Sequence, residues 1–308
     1  MTNKIVAIQG NHPSKLNPKT DTSVFLAHEI QNKNYKIFYY DPKELSVINS
    51  EVIASGFFIK FDYKDKNFFK ILKKQKLALT KCKFILIRQD PPFNLEYISA
   101  TYILDTIKDK VKILNNPTSI RNISEKLYSV RYQKFMPSTI FTQNISEIKN
   151  FFKTHKKVII KPIHSYGGND IHLLNRFNSK FINQFIKKHD HIMCQKFLPK
   201  INKGDKRVFL INGKVCGAIS RVPKQGSFLS NMSKGAKPIS VRLTKTEHKI
   251  SKLIAKDLKK ENIFFAGIDF IDQKLNGDIN VTSPTGLKTL YDLSGVNLAK
   301  TFWKELKA

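Results

Sequence analysis

The chain has 308 residues, 41% of them hydrophobic, and a formal net charge of +30. That is enough apolar content for a proper core and enough length for two or three domains. No apolar run is long enough to span a bilayer and no charged-apolar-small leader opens the chain, so a soluble cytoplasmic protein with no membrane partner is expected. Only seven of the 54 basic residues are arginine, and the lysines spread along the whole chain instead of gathering with aromatics on one face. That argues against a nucleic-acid partner, although the positive field still attracts an anionic substrate such as a nucleotide. Cys82, Cys194 and Cys216 lack metal or redox spacing and read as reduced thiols.

Residues 4–8 read as a first strand, followed by a polar loop, a helix over 23–32 and a second strand over 35–40. Residues 84–88 form a buried strand run that ends in Gln89-Asp90-Pro91-Pro92-Phe93, where two prolines stop the strand. Helical periodicity over 96–108 and a short strand over 111–114 complete an α/β first domain with a largely parallel sheet, bounded at Asn115-Asn116-Pro117. The spacing then predicts a helix over 124–133 capped by Ser124. Strands follow at 157–161, 170–174, 191–197 and 207–211, and Asn212-Gly213 turns the chain into another at 214–221. Residues 223–238 are rich in Gly, Ser, Asn and Lys with little to pack, which suits a mobile lid, and 244–260 reads as a helix.

Chemistry concentrates near the C-terminus. Residues 267–271 and 278–284 read as strands, yet they carry Asp269, Asp278 and Asn280. Strand alternation puts Asp278 and Asn280 on one face and Ile279 and Val281 on the other. Oxygen ligands of this kind suit a hard cation such as Mg²⁺, provided Asp269 lies near Asn280. A two-residue turn at Asn276-Gly277 would pair Asp269 with position 284, roughly 13 Å along the strand from Asn280. The metal reading therefore needs a turn centred near Lys274-Leu275, and the alternative is a hairpin with a solvated polar face.

Gly167-Gly168 lies between two strands, which excludes the phosphate loops that need a following helix N-terminus, but a glycine-rich hairpin can still fold over phosphates. Lys161 ends an apolar strand run where an ammonium could meet a phosphate; a lysine-rich chain also places lysines there at random. Arg207 and Arg221 either hold a carboxylate or phosphoryl group together or cap strand ends in solvent. The histidines show no zinc spacing, and no Ser or Cys sits in a nucleophile setting.

Taken together, these residues resemble the bacterial glutathione synthetase family of ATP-grasp ligases. The resemblance is carried by Arg88-Gln89-Asp90-Pro91-Pro92-Phe93, Ala100-Thr101-Tyr102-Ile103-Leu104, Glu125-Lys126-Leu127 and Ile160-Lys161-Pro162 with Gly167-Gly168. It continues through Gly204-Asp205-Lys206-Arg207-Val208 and Asn280-Val281-Thr282-Ser283-Pro284-Thr285. It implies an N-terminal parallel-sheet α/β domain on the substrate side (1–120), followed by a two-lobed ATP-grasp domain (121–308, lobes about 121–199 and 200–308). It further implies that Lys126 and Lys161 contact nucleotide phosphates and that Tyr166, Gly167, Gly168 and Asn169 close over them. Gln195, Lys196, Phe197 and Leu198 would line the adenine, Asp205 would lie near the ribose, and Asp269, Asp278 and Asn280 would bind Mg²⁺, with Mn²⁺ the alternative. Arg207 and Arg221 would face the acyl phosphate.

The reaction so implied joins γ-glutamylcysteine to glycine at the expense of ATP, in a homo-oligomer; the rival is an ATP-grasp ligase acting on a different peptide or amino acid. Departures touch the substrate loops. Asp278 stands for the usual Glu, with one extra residue in the turn before it. Gln89 stands for Lys, Leu229 for the lid arginine, His164-Ser165 for Asp-Gly, and Lys288-Thr289 for Arg-Glu.

Overall fold

Runs of Ile, Val, Phe and Tyr, separated by helices with Asp or Asn caps, build the first sheet. In the computed structural model, which describes residues 4–308, it contains β1 (Ile5–Gln9), β2 (Lys36–Tyr40), β3 (Leu45–Ile48), β4 (Glu51–Phe61), β5 (Phe69–Ala78), β6 (Phe84–Ile87) and β7 (Lys112–Leu114). The order is β3-β4-β2-β1-β6-β7, with β5 paired to β4. Strands β2, β1, β6 and β7 are parallel, joined across α1 (Thr22–Gln31) and α2 (Leu95–Asp105). Asp21 caps α1 by accepting from the Val24 N–H, and Asn94 caps α2 by accepting from that of Tyr97.

The expected sheet is largely parallel, but β3, β4 and β5 add an antiparallel portion. Four exposed lysines on β5 hide its strand character while keeping an edge strand from pairing with other chains.

After α3 (Pro117–Asn122), residues 127–135 form a 3₁₀ segment kinked at Tyr132, in place of a helix starting at Ser124. Ser124 caps nothing. Its neighbour Glu125 is drawn away: its carbonyl accepts from the Ile279 N–H, and its Oε1 accepts from the N–H groups of Val281 and Thr282 and from the Thr282 hydroxyl.

The second sheet holds β8 (Thr139–Thr142), β9 (Val158–Pro162), β10 (His172–Leu174) and β11 (Ile192–Lys196) in the order β10-β9-β11-β8. Helices α4 (Ile145–His155) and α5 (Ser179–His189) bury Ile148, Ile182 and Phe185 against its Val158, Ile160 and Cys194.

The third sheet holds β12 (Asp205–Ile211), β13 (Lys214–Val222), β14 (Lys237–Ser240), β15 (Phe265–Ile271) and β16 (Lys274–Asn280) in the order β14-β13-β12-β15-β16. The predicted lid therefore ends earlier than expected, since Lys237 and Pro238 already belong to an edge strand. Helix α6 (Lys245–Lys260) carries a reciprocal Thr244–Glu247 cap. Helices α7 (Leu287–Ser294) and α8 (Leu298–Glu305) place Leu290, Phe302 and Trp303 in one core shared by Val24 and Phe84 of the first unit and Phe209 of the third sheet.

At the end of β7, Asn115 fixes the first unit to the third sheet with four hydrogen bonds. Its Nδ2 donates to the carbonyls of Phe265 and Val281, both at 2.7 Å, and its Oδ1 accepts from the N–H groups of Phe264 and Phe265, both at 2.9 Å. Among the described residues, no helix is long and apolar enough to cross a membrane.

The β15–β16 turn sits at Asp272-Gln273, both with positive φ, and not at either position considered from the sequence. The register then shifts: Ile271 faces Lys274 and Phe270 faces Leu275, whereas Ile268 faces Ile279 and Gly267 faces Asn280. The two extra residues bulge out around Asn276, Gly277 and Asp278. Gly277 has φ +86 and packs so closely on Met193 and Met136 that a Cβ would lie 2.6 Å and 2.9 Å from their Cε atoms.

Candidate active site

The second and third sheets face each other across a cleft of about 920 Å³. Its floor on the third sheet follows from register. Strand β12 lies between β13 and β15, with Asp205 opposite Arg221 and Arg207 opposite Asp269. Residues 205 and 207 share a face, so four charges meet there as two cross-strand pairs. Arg207 grips Asp269 with two donors, Nε to Oδ1 at 2.8 Å and Nη2 to Oδ2 at 2.7 Å. Arg221 grips Asp205 in the same manner, Nε to Oδ1 at 2.9 Å and Nη2 to Oδ2, and reaches Asp269 Oδ2 at 3.0 Å. All four side chains are buried, which rules out the solvent-capping reading of the arginines. Burial alone would raise the Asp269 carboxyl; the Arg207 and then the Arg221 guanidinium overcome it and hold Asp269 well below the usual carboxylate range.

Beside them, the bulge presents Asp278 to two lysines from elsewhere. Lys161, at the end of β9, donates to Asp278 Oδ2 at 3.0 Å and to the Asn276 carbonyl at 3.1 Å. Lys126 lies 3.7 Å from Asp278 Oδ1 and donates to the Ser165 carbonyl at 2.7 Å, holding the glycine-rich loop from below. Lys126 stands in the turn before the 3₁₀ segment, not on a helix. Burial would raise Asp278 too, but Lys161 and then Lys126 keep it below its ordinary value, while burial pulls Lys126 down.

Tyr166, Gly167, Gly168, Gln195, Lys196, Phe197 and Leu198 line the opposite wall. The Gln195 side chain is turned to Thr139, donating to its hydroxyl at 3.0 Å, which leaves backbone toward the cleft. Asn169 is not part of the lining; it accepts a hydrogen bond from Lys234 across the mouth.

Residues 5–121 match the family described as prokaryotic glutathione synthetase, N-terminal domain, and residues 125–295 match prokaryotic glutathione synthetase, ATP-grasp domain. The chain belongs to the prokaryotic glutathione synthetase family. It is 33% identical to the glutathione synthetase of Bradyrhizobium diazoefficiens over 98% of this chain and 97% of that one. It is 34% identical to that of Buchnera aphidicola subsp. Baizongia pistaciae over 93% and 90%. Solved structures share the ATP-grasp fold at low identity. D-cycloserine synthetase DcsG gives a TM-score of 0.67 at 10% identity over 98% of both chains. D-alanyl-alanine synthetase A from Vibrio cholerae gives 0.63 at 14% over 100% and 98%.

Asp269 and Asn280 share a sheet face, because Gly267 lies opposite Asn280 and Asp269 is two residues along. Among the described residues no three His, Cys, Asp or Glu side chains cluster as a metal cage. The donor set instead mixes carboxylate and amide oxygens, as hard cations accept. Asn280 Nδ2 donates to the Gly267 carbonyl at 3.1 Å, so the amide oxygen is the atom left for a ligand role. Asp269 Oδ2 and Asp278 Oδ2 each already accept from two donors, which leaves a lone pair for a cation on each Oδ1, and with those atoms these residues fit Mg²⁺.

Sequence reasoning gives no role to Glu125 or Asn276, and places Phe228, Ser230 and Asn231 in a lid without singling them out; all of them line the cleft. Glu125 reads as an ordinary first-turn acid, and Asn276 as a turn residue. Nothing short of the register shift reveals either.

Proposed function

We propose that this cleft performs the glutathione synthetase reaction, joining the cysteinyl carboxylate of γ-glutamylcysteine to the amine of glycine. The observation that carries it is the convergence of Lys126, Lys161, Arg207 and Arg221 on one cleft, in a chain of this family. A carboxylate oxygen attacks the terminal phosphorus of ATP, giving an acyl phosphate and ADP. Glycine's amine then adds to the acyl carbon, and the tetrahedral intermediate expels phosphate as the nitrogen loses its proton. Four fixed cations stabilise the negative charge that grows on the phosphoryl and carbonyl oxygens without reorganising during reaction. Lys126 and Lys161 hold the polyphosphate under the 166–169 loop, the 195–198 segment receives the adenine, and Asp205 lies near the ribose. Arg207 and Arg221 receive the acyl phosphate.

Asp269, Asp278 and Asn280 would hold Mg²⁺, or Mn²⁺ in its place, and the ion would supply charge neutralisation for the phosphoryl transfer. Residues 1–120 form the substrate side, and lobes 121–199 and 200–308 clamp the nucleotide. The reaction belongs to the cytoplasm and, by family likeness, to a homo-oligomer.

ADP release measured with substrate pairs tests this reading. Dependence on γ-glutamylcysteine and glycine together supports it. Turnover only with another carboxylate–amine pair assigns the rival ligase, and no turnover with any pair overturns the enzyme reading.

A further inference from the structure

We infer that Lys234 and Asn169 are positioning residues that latch the lid onto the glycine-rich loop, so that a nucleotide held by that loop is what closes the lid. This rests on the function proposed above, because it assigns the order of events in the same cleft. Three successive loop residues meet the lid. Lys234 Nζ donates to Asn169 Oδ1 at 2.8 Å, and the Ser233 hydroxyl donates to the Gly167 carbonyl at 3.4 Å. Asn231 fills the space over Gly168, where a Cβ would lie 2.3 Å from its Oδ1. Of the three lysines in residues 223–238, Lys234 is the one that reaches the glycine-rich loop; the Lys224 chain folds back over Gly235, and Lys237 lies in β14.

The loop and lid come from different sheets, and these polar contacts at the mouth join them. Lys126 fixes the floor of the same loop through the Ser165 carbonyl. Phosphates that settle the loop over Lys126 and Lys161 therefore also settle Gly167, Gly168 and Asn169, the lid's docking edge. Leu229 lines the cleft where the family usually has an arginine, so the lid brings an apolar cover while its cation works at the rim. The consequence is a lid that closes after nucleotide binds and before the hydrolysable acyl phosphate forms.

The test compares the parent chain with K234M and K234R, neither of which disturbs a buried group. Chymotryptic cleavage at Phe228 is followed with and without a non-hydrolysable ATP analogue and Mg²⁺, and ADP released per peptide bond formed is counted separately. The parent should be protected by nucleotide. K234M should lose protection by roughly fivefold, the factor for one exposed hydrogen bond of ordinary strength, bind the analogue more weakly by no more than that factor because closure and nucleotide binding are linked, and release excess ADP. K234R, which keeps the donor, should behave as the parent. Equal protection in K234M and the parent, equal loss in both variants, or no nucleotide protection in the parent would each overturn the latch. The protection assay needs no acceptor substrate, so a failure of the γ-glutamylcysteine and glycine assay leaves it standing.

Discussion

Asp269→Asn removes the negative charge on which two buried arginines converge. As folded, Asp205, Arg207, Arg221 and Asp269 form a neutral group of two pairs, with Asp269 only 3% exposed. The amide keeps one acceptor but turns an N–H₂ toward a guanidinium, leaving one buried positive charge uncompensated. Removing one partner of a buried pair costs about 3–5 kcal/mol. At about 2–4 °C per kcal/mol for a large domain, the melting temperature should fall by roughly 6–20 °C.

The double variant Asp269→Asn with Arg207→Met restores neutrality, since Arg221 still has Asp205, and should be more stable than the single variant. Thermal and urea unfolding of the three proteins measure this. The pH dependence gives a second reading. The folded-state pKa of Asp269 is depressed, so its contribution is present above the ordinary carboxylate value of about 4 and is lost as pH falls below that. Asp269→Asn should flatten that part of the acid-denaturation curve. A loss below about 1 kcal/mol, or a double variant as unstable as the sum of its parts, would show that the pairing does not hold this wall of the cleft.

Lys161→Met should weaken ADP binding by about tenfold or more, the loss of one charged contact in a partly dry cleft, and isothermal titration reads it directly; unchanged affinity would remove Lys161 from the nucleotide site. Asn115→Ala deletes four buried hydrogen bonds between the first unit and the third sheet and should cost about 2–4 kcal/mol in denaturant unfolding. Gly168→Ala puts a side chain at φ +77 and against Asn231, so peptide formation should fall more steeply than nucleotide affinity. Parallel loss of both would place the damage in nucleotide binding instead.

Local signals carried much of the fold. Helices predicted over 23–32, 96–108 and 244–260 form under caps from Asp21, Asn94 and Thr244 that the sequence reading does not name, and Asn212-Gly213 makes the turn its residue types demand. Strand β5 and helices α7 and α8 were not legible: β5 is disguised by its lysines, and the two helices are specified by packing against α1 and the third sheet, which no local pattern reports. Residues 124–133 have helical spacing, but Glu125 finds better partners on the segment leaving β16 than a first turn offers. The family motifs gave roles to every charged residue of the cleft lining except Glu125. Their partners were hidden, because Arg207 meets Asp269 across 62 positions and Lys161 meets Asp278 across 117. Such pairings exist only once register is set.

The bulge at Asn276–Asp278 ties these points to the chemistry. Asp is one methylene shorter than the Glu usual in the family, and on a regular strand it would sit further from the lysines. Asn276 Nδ2 donates to Asp278 Oδ2 at 3.1 Å, and the Asn276 carbonyl accepts from Lys161, so the same bulge fixes both the carboxylate and its cation. Lys126, Lys161, Arg207 and Arg221 are thereby balanced by Glu125, Asp205, Asp269 and Asp278, and Lys196 leaves the cleft lining with one positive charge in excess. The net positive charge of the chain still attracts a free polyphosphate, and a cation held by Asp269 and Asp278 would take over part of the role the basic groups play toward those carboxylates. Each carboxylate exchanges one positive partner for another, which keeps the cost of the exchange small. The carboxylates that hold the basic side chains in place are thus the same groups proposed to hold the metal, and nucleotide and cation must bind as coupled ligands.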